Sequence, residues 1–142
     1  DLLQSEERLR LATEAGEIGT WDINLASGEA VFDHQMQRLL GYPPKAEARS
    51  WDAWIDRIHL DDVAGVVEAF NAAKSGQSLF RKEHRVVLPG GEARWVAPYG
   101  RVHLEFGQAT RIIGVHADAS DRKRINEERE AVLSRGQAAL DW

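Results

Sequence analysis

From Phe80 to Ala117 the pattern of this chain changes to a period of two, with two glycine-containing interruptions. Period two sends alternate side chains to opposite faces of an extended strand. The stretch therefore predicts three strands, residues 80–88, 93–104 and 110–117, joined by turns at Pro89-Gly90-Gly91-Glu92 and Phe106-Gly107-Gln108. Strands linked by connections this short form an antiparallel meander.

Upstream, the pattern is mixed. Trp21, Ile23 and Leu25 alternate with polar residues, Ala26-Ser27-Gly28-Glu29 supplies a turn, and residues 30–32 complete a hairpin. Asp33-His34-Gln35 opens a helix with Met36, Leu39 and Leu40 on one face, stopped by Gly41-Tyr42-Pro43-Pro44. Residues 51–55 form a short helical turn with large apolar side chains. Asp61 or Asp62 caps a longer helix in which Val63, Val66, Val67, Phe70 and Ala73 share a stripe, ended by Gly76. A first helix is expected over residues 4–15, closed by Gly16, and a last one over 121–135, capped by Ser120-Asp121. Helices segregated from a mostly antiparallel sheet make the fold α+β, with the helical block on one face.

The chain has 142 residues, which suits one domain. Hydrophobic residues at 43% against 29% charged are enough for a packed core. A formal charge of −5 supplies no positive field for nucleic-acid phosphates, so no nucleic-acid partner is expected. There are no cysteines, which removes disulfides, thiolate zinc sites, thiol nucleophiles and cysteinyl cofactor adducts together. No apolar run approaches the ~18 residues of a membrane span, and no basic-then-apolar leader opens the chain. The chain begins at Asp1 without a methionine and reads as a cytoplasmic piece of a longer polypeptide, making no membrane contact of its own.

Six motifs then occur in order: Gly19-Thr20-Trp21-Asp22, Leu39-Leu40-Gly41-Tyr42, Ile58-His59-Leu60-Asp61-Asp62, Glu83-His84-Arg85-Val86, Gly91-Glu92-Ala93-Arg94-Trp95-Val96, and the run from Gly114 to Lys123. Together, over residues 5–130, they resemble a PAS domain with its C-terminal PAC motif, of the type found in bacterial sensor histidine kinases and cyclic-di-nucleotide enzymes. The sequence departs from that pattern at Leu60, at Gly90 and in the exit motif Asp118-Ala119-Ser120. The resemblance implies a five-stranded antiparallel sheet with short helices on one face and a flanking helix at each end. It divides the chain into an N-terminal helix (1–17), a PAS core (18–119) and a C-terminal signalling helix (120–142). It also implies a non-catalytic sensory module that works as a homodimer, binds a small organic ligand between sheet and helices, and relays to an output domain in the same polypeptide. The alternative is a ligand-free dimerisation and relay spacer. A small α+β enzyme would need a converging acid, base and nucleophile, which the sequence does not offer.

By the same resemblance His116 occupies a ligand-contacting strand position, and this phases the inner face of the sheet. His84, His116, Trp21, Val86, Val96, Gly100, Ile112 and Gly114 are the candidate pocket residues, with Met36 and Phe70 from the helices. The glycines are expected to leave room. Covalent flavin is disfavoured by the lack of cysteine, and haem by the lack of histidine in residues 62–75; non-covalent flavin stays open, although Val86 and Val96 stand where the flavin-binding branch has asparagines. Metal is disfavoured because one strand separates His84 from His116, putting their backbones ~10 Å apart. Asp118 and Ser120 are assigned to signal relay, with Arg94 or Arg85 as the cation for Asp118. On the outer face, Trp95, Tyr99, Ile113 and Val115, with Leu9 of the first helix, form the expected dimer surface.

Overall fold

The computed structural model describes residues 3–4, 6–8, 11, 17–43, 50–77 and 79–140. Residues 3–4, 6–8 and 11 are helical; Leu9 and Gly16 lie outside the described residues. The elements that follow are β1 (Ile18–Asn24), β2 (Ala30–Phe32), α1 (His34–Leu39), α2 (Trp51–Ile55) and α3 (Val63–Ala72), which widens into a π-type turn at Ala73–Gln77. Then come β3 (Leu79–Phe80), β4 (His84–Val87), β5 (Ala93–Glu105), β6 (Gln108–Asp118) and α4 (Ser120–Leu140). The strands form one antiparallel sheet in the order β2-β1-β6-β5-β3, with β4 also on β5. The expected α+β fold is borne out.

One strand of the meander differs from expectation. Residues 80–88 form two short strands, yet Phe80 faces Gly100 and His84 faces Val96, so both keep a single register along β5. The gap at residues 81–83 has a local cause. The Lys82 carbonyl accepts a hydrogen bond from the His84 ring at 2.8 Å, an interaction outside the strand ladder.

The helices are started by short polar residues, but not always as the sequence suggests. Asp33 caps α1 as expected, its Oδ1 accepting from the Met36 N–H at 2.8 Å and from the Thr20 N–H of β1 at 3.0 Å. Asp62 stands at the start of α3 without making a side-chain cap, because its carboxylate is held by Arg85. Ser120 does not cap α4 either; its hydroxyl oxygen accepts from the Trp95 N–H of β5 at 3.0 Å.

The core lies between the sheet and α1–α3, around Trp21, Met36, Trp54, Val66, Phe80 and Ile112. On the inner face, register aligns Phe32, Trp21, Gly114, Gly100 and Phe80 in one row across β2, β1, β6, β5 and β3. α4 leaves the sheet at Ser120, and its described side chains after Lys123 are exposed. No helix among the described residues is long and apolar enough to cross a membrane.

Candidate functional site

The inner face of the sheet presents two histidines. β4 buries His84 and Val86 because its alternate residues face the helices, and β6 buries Ile112 and His116 for the same reason. Their backbones are separated by β5, but the rings converge over it, with centroids 5.8 Å apart and nearly perpendicular planes. The distance argument against a metal therefore fails. What stands against His84 as a ligand is that both of its ring nitrogens are engaged.

Those engagements fix its tautomer. An indole N–H can only donate, so Trp54 Nε1, 3.0 Å from His84 Nε2, makes Nε2 the acceptor. The proton then sits on Nδ1 and is donated to the Lys82 carbonyl. His116 is different: among the described residues neither of its nitrogens has a hydrogen-bond partner, and the neighbouring Trp21 Nε1 has none. Trp21 and Trp54 close over it edge-on, with centroids at 5.7 and 4.5 Å. Burial disfavours the charged form of both histidines, His116 the more strongly. Burial lowers the pKa of His84, although the Lys82 carbonyl and Asp62 oppose it. Burial and then His84 push His116 well below the ordinary value of 6.5; the Val115 backbone opposes this in part without completing a hydrogen bond.

A pH dependence follows. His116 is neutral in the fold and charges on unfolding, so its contribution to stability is complete above the unfolded pKa near 6.5 and is lost as pH falls below it. Denaturant titrations between pH 7.5 and 5.5 are expected to show about 1.4 kcal/mol lost in all from this ring, most of it below pH 6.5. His116→Leu should remove that share of the slope; an identical slope in the variant would mean that His116 already charges in the folded state. Asp62 acts in a separate window, since its hydrogen bond to Arg85 holds its pKa at about 2, and its contribution fades only below about pH 4.

The other inner-face candidates gather here. Met36, Val86, Val96 and Ile112 are buried, and Phe70 stacks on Trp51 at 4.1 Å between centroids. The glycines do not leave room, contrary to expectation. A Cβ on Gly100 would fall 2.4 Å from Trp21 Cη2, and one on Gly114 would fall 2.5 Å from Trp21 Cζ2, so the indole already occupies that space. Trp54 is the residue that sequence reasoning missed. The Trp51/Trp54 spacing marks one face of a short helix, but nothing local says that this face reaches a histidine thirty positions further along.

At the exit of the sheet, Asp118 Oδ1 accepts from the Ser120 N–H at 2.9 Å, and Oδ2 lies 3.6 Å from Arg94 Nε. Arg94 also donates to the carbonyls of Arg38 and Leu39 at the end of α1, at 2.9 and 3.0 Å. Arg94 is thus the cation beside Asp118. Arg85 is not, because both arms of its guanidinium are on Asp62. Glu83 pairs with Arg122 and Lys123 of α4, which lower its pKa, Lys123 foremost.

On the outer face Tyr99 is 42% exposed and Ile113 50%, with Val115 half-buried between β1 and β5. Trp95 is placed otherwise. Lys123 Nζ lies 4.5 Å and the Arg85 guanidinium 5.4 Å from its ring centroid, so it serves as a seat for the first turn of α4.

An antiparallel sheet covered on one face by short helices, with an interior polar pair and a helix leaving the last strand, defines a small α+β domain with an inward-facing site. The chain belongs to the PAS family, whose PAS-fold model matches residues 29–116. It is 28% identical over 124 residues to the probable diguanylate cyclase DgcE of Escherichia coli K12, a match covering 87% of this chain and 11% of that protein. It is 24% identical over 129 residues to the blue-light-activated histidine kinase of Brucella anthropi, covering 91% of this chain and 26% of that one. Among solved structures it is similar to a sensory box histidine kinase/response regulator from Burkholderia thailandensis E264, with a TM-score of 0.77 and 27% identity, covering 93% of this chain and 98% of that one. The chain thus spans 11% and 26% of the two curated relatives.

Neither flavin nor haem fits the residues present. Val86 and Val96, buried on the inner face, offer no side-chain hydrogen bond to a flavin ring. The buried side chains of α3 are Val66 and Phe70, so that helix presents no imidazole to a haem iron.

Proposed function

We propose that this domain is the sensory module of a cytoplasmic signalling protein of the histidine kinase or diguanylate cyclase type. It reads a small polar molecule beside His116 and relays as a homodimer to an output domain in the same polypeptide, without catalysis of its own. The observation that carries this reading is the trio of buried polar atoms without partners, Trp21 Nε1 and both nitrogens of His116. Leaving such groups unmade costs about 1–3 kcal/mol each, and an unmet set gathered at one place calls for an occupant. A molecule with an acceptor for the indole and a polar group for the imidazole would meet it, once the Trp21 ring turns off the glycines. Native mass spectrometry of freshly purified protein is expected to show one small organic molecule per subunit, and His116→Ala should lose it by at least ~1 kcal/mol in affinity. The filled space over Gly100 and Gly114 favours a second reading, a ligand-free relay spacer. A dimer at its bare mass would establish that reading instead.

Relay is assigned to residues 120–142 and input to the core, 18–119, with residues 1–17 as a flanking helix. Asp118 and Arg94 join the end of α1 to the start of α4. In the full-length protein Asp118→Ala is expected to uncouple stimulus from output while leaving ligand affinity nearly unchanged; an unaltered stimulus response would remove the assignment. Dimerisation is supported by Tyr99 and Ile113 on the outer face and by exposed Ile125 and Val132 on α4. A long helix with so little packing of its own gains stability from a partner.

A further inference from the structure

We propose that the Trp54–His84 hydrogen bond is an acid-labile latch: a proton taken up at His84 Nε2 breaks it and frees α2 from the sheet while the sheet stays folded. The proposal concerns the helical cover and is independent of any ligand beside His116. It follows from the way the ring is bonded. Nδ1 already carries the proton given to the Lys82 carbonyl, so Nε2 is the one place a second proton can go, and Nε2 is the acceptor of the Trp54 indole. Once protonated, it would point an N–H at an N–H.

The imidazolium formed would not be stranded. Its Nδ1–H keeps the Lys82 carbonyl in either state, and residues 81–83 beside it are exposed or half-exposed, giving the proton a short path from solvent. His116 has no such acceptor among the described residues, and its ring is fully buried. Each element around the His84 ring contributes its own groups. Burial of the ring is the larger influence and opposes the proton; β6 supplies His116, and the start of α3 supplies Asp62, whose charge favours the proton although Arg85 of β4 shares it. α2 supplies the Trp54 indole and β5 the facing Val96, neither of them titratable in this range.

α2 suits such a device because it is only five residues long and its N-cap, Ser50, makes no side-chain cap. A helix of that length is held by tertiary contacts rather than by its own hydrogen bonds. Besides the latch, it is tied by the Tyr42 hydroxyl donating to the Ala53 carbonyl and by Trp51 on Phe70.

Hydrogen exchange of the whole chain at pH 7.5 and 5.0, corrected for intrinsic rates, tests the latch. In the unmodified protein, protection over residues 51–55 is expected to fall at least tenfold at the lower pH, while β5 and β6 keep theirs. His84→Gln can still accept from the indole and donate to Lys82 but cannot charge, so it should hold α2 closed at both values. Trp54→Phe, which removes the donor, should leave α2 open at both and provides the same comparison should the glutamine variant not fold. Equal acid opening in His84→Gln, pH-dependent opening in Trp54→Phe, no opening in the unmodified protein, or loss of β5 and β6 protection together with α2 would each overturn the proposal.

Discussion

Trp21→Ala is expected to remove about 3–5 kcal/mol of unfolding free energy, the range for emptying a buried tryptophan site. The indole is 1% exposed and sits at the centre of the inner-face row, against Trp54 at 5.4 Å, Phe80 at 6.2 Å and His116 at 5.7 Å between centroids. The cost should fall at the upper end because the floor beneath it is two facing glycines in paired strands, which have no side chains to move into the space. The site stays open and its lining loses dispersion contacts outright. Urea unfolding would measure the loss; a value below about 1 kcal/mol would mean that the neighbouring rings collapse into the gap.

Gly114→Ala is expected to cost about 3 kcal/mol, the upper end for overpacking. Glycine is a poor strand residue, so an added methyl would by itself gain roughly 0.5–1 kcal/mol from lower backbone entropy. The contacts decide against it. The new Cβ would lie 2.4 Å from the Tyr99 carbonyl oxygen and 2.7 Å from Gly100 Cα, both backbone atoms of the paired strand, so relief would require β5 and β6 to part. Gly100 makes a sharp comparison, because its closest contacts are with Trp21 atoms, at 2.4 and 2.8 Å. Combined with Trp21→Ala, Gly100→Ala should become nearly neutral while Gly114→Ala keeps most of its cost. A Gly114→Ala penalty that vanished along with the indole would show that the strand backbones yield.

This contrast explains what could be read from the sequence. The period-two stretches and their turns placed the strands, and the resemblance at His116 phased Trp21, Gly100, Gly114 and His116 onto the same face. That Trp21 lies in the same cross-strand row as the glycines depends on the register of three strands, which no single strand encodes, and so a filled space looked like an empty one. The helix starts failed for a related reason. Asp33, Asp62 and Ser120 are all good local caps, but Arg85 and the Trp95 N–H compete for the last two across the fold, and only the first keeps a cap of its own. Asp118 was legible from the exit motif, but Arg94 and Arg85 stayed open as its cation until the fold placed Arg94 beside it and Arg85 on Asp62, whereas Trp54 became part of the site through a contact between distant segments.

The fastening of α4 has a mechanical consequence. Ala119 and Ser120 bind both backbone groups of Trp95, Glu83 holds Arg122 and Lys123, and beyond that first turn the described side chains are exposed. The helix is a cantilever clamped at its root. Its 21 residues, at ~1.5 Å of rise each, reach about 30 Å, so a tilt of roughly 5° at the clamp carries the far end through about 2.6 Å. Glu83, in that clamp, is the immediate chain neighbour of His84, whose ring faces the interior. A shift of that strand end too small to disturb the core would therefore be multiplied along the lever into a displacement comparable to half a helical turn.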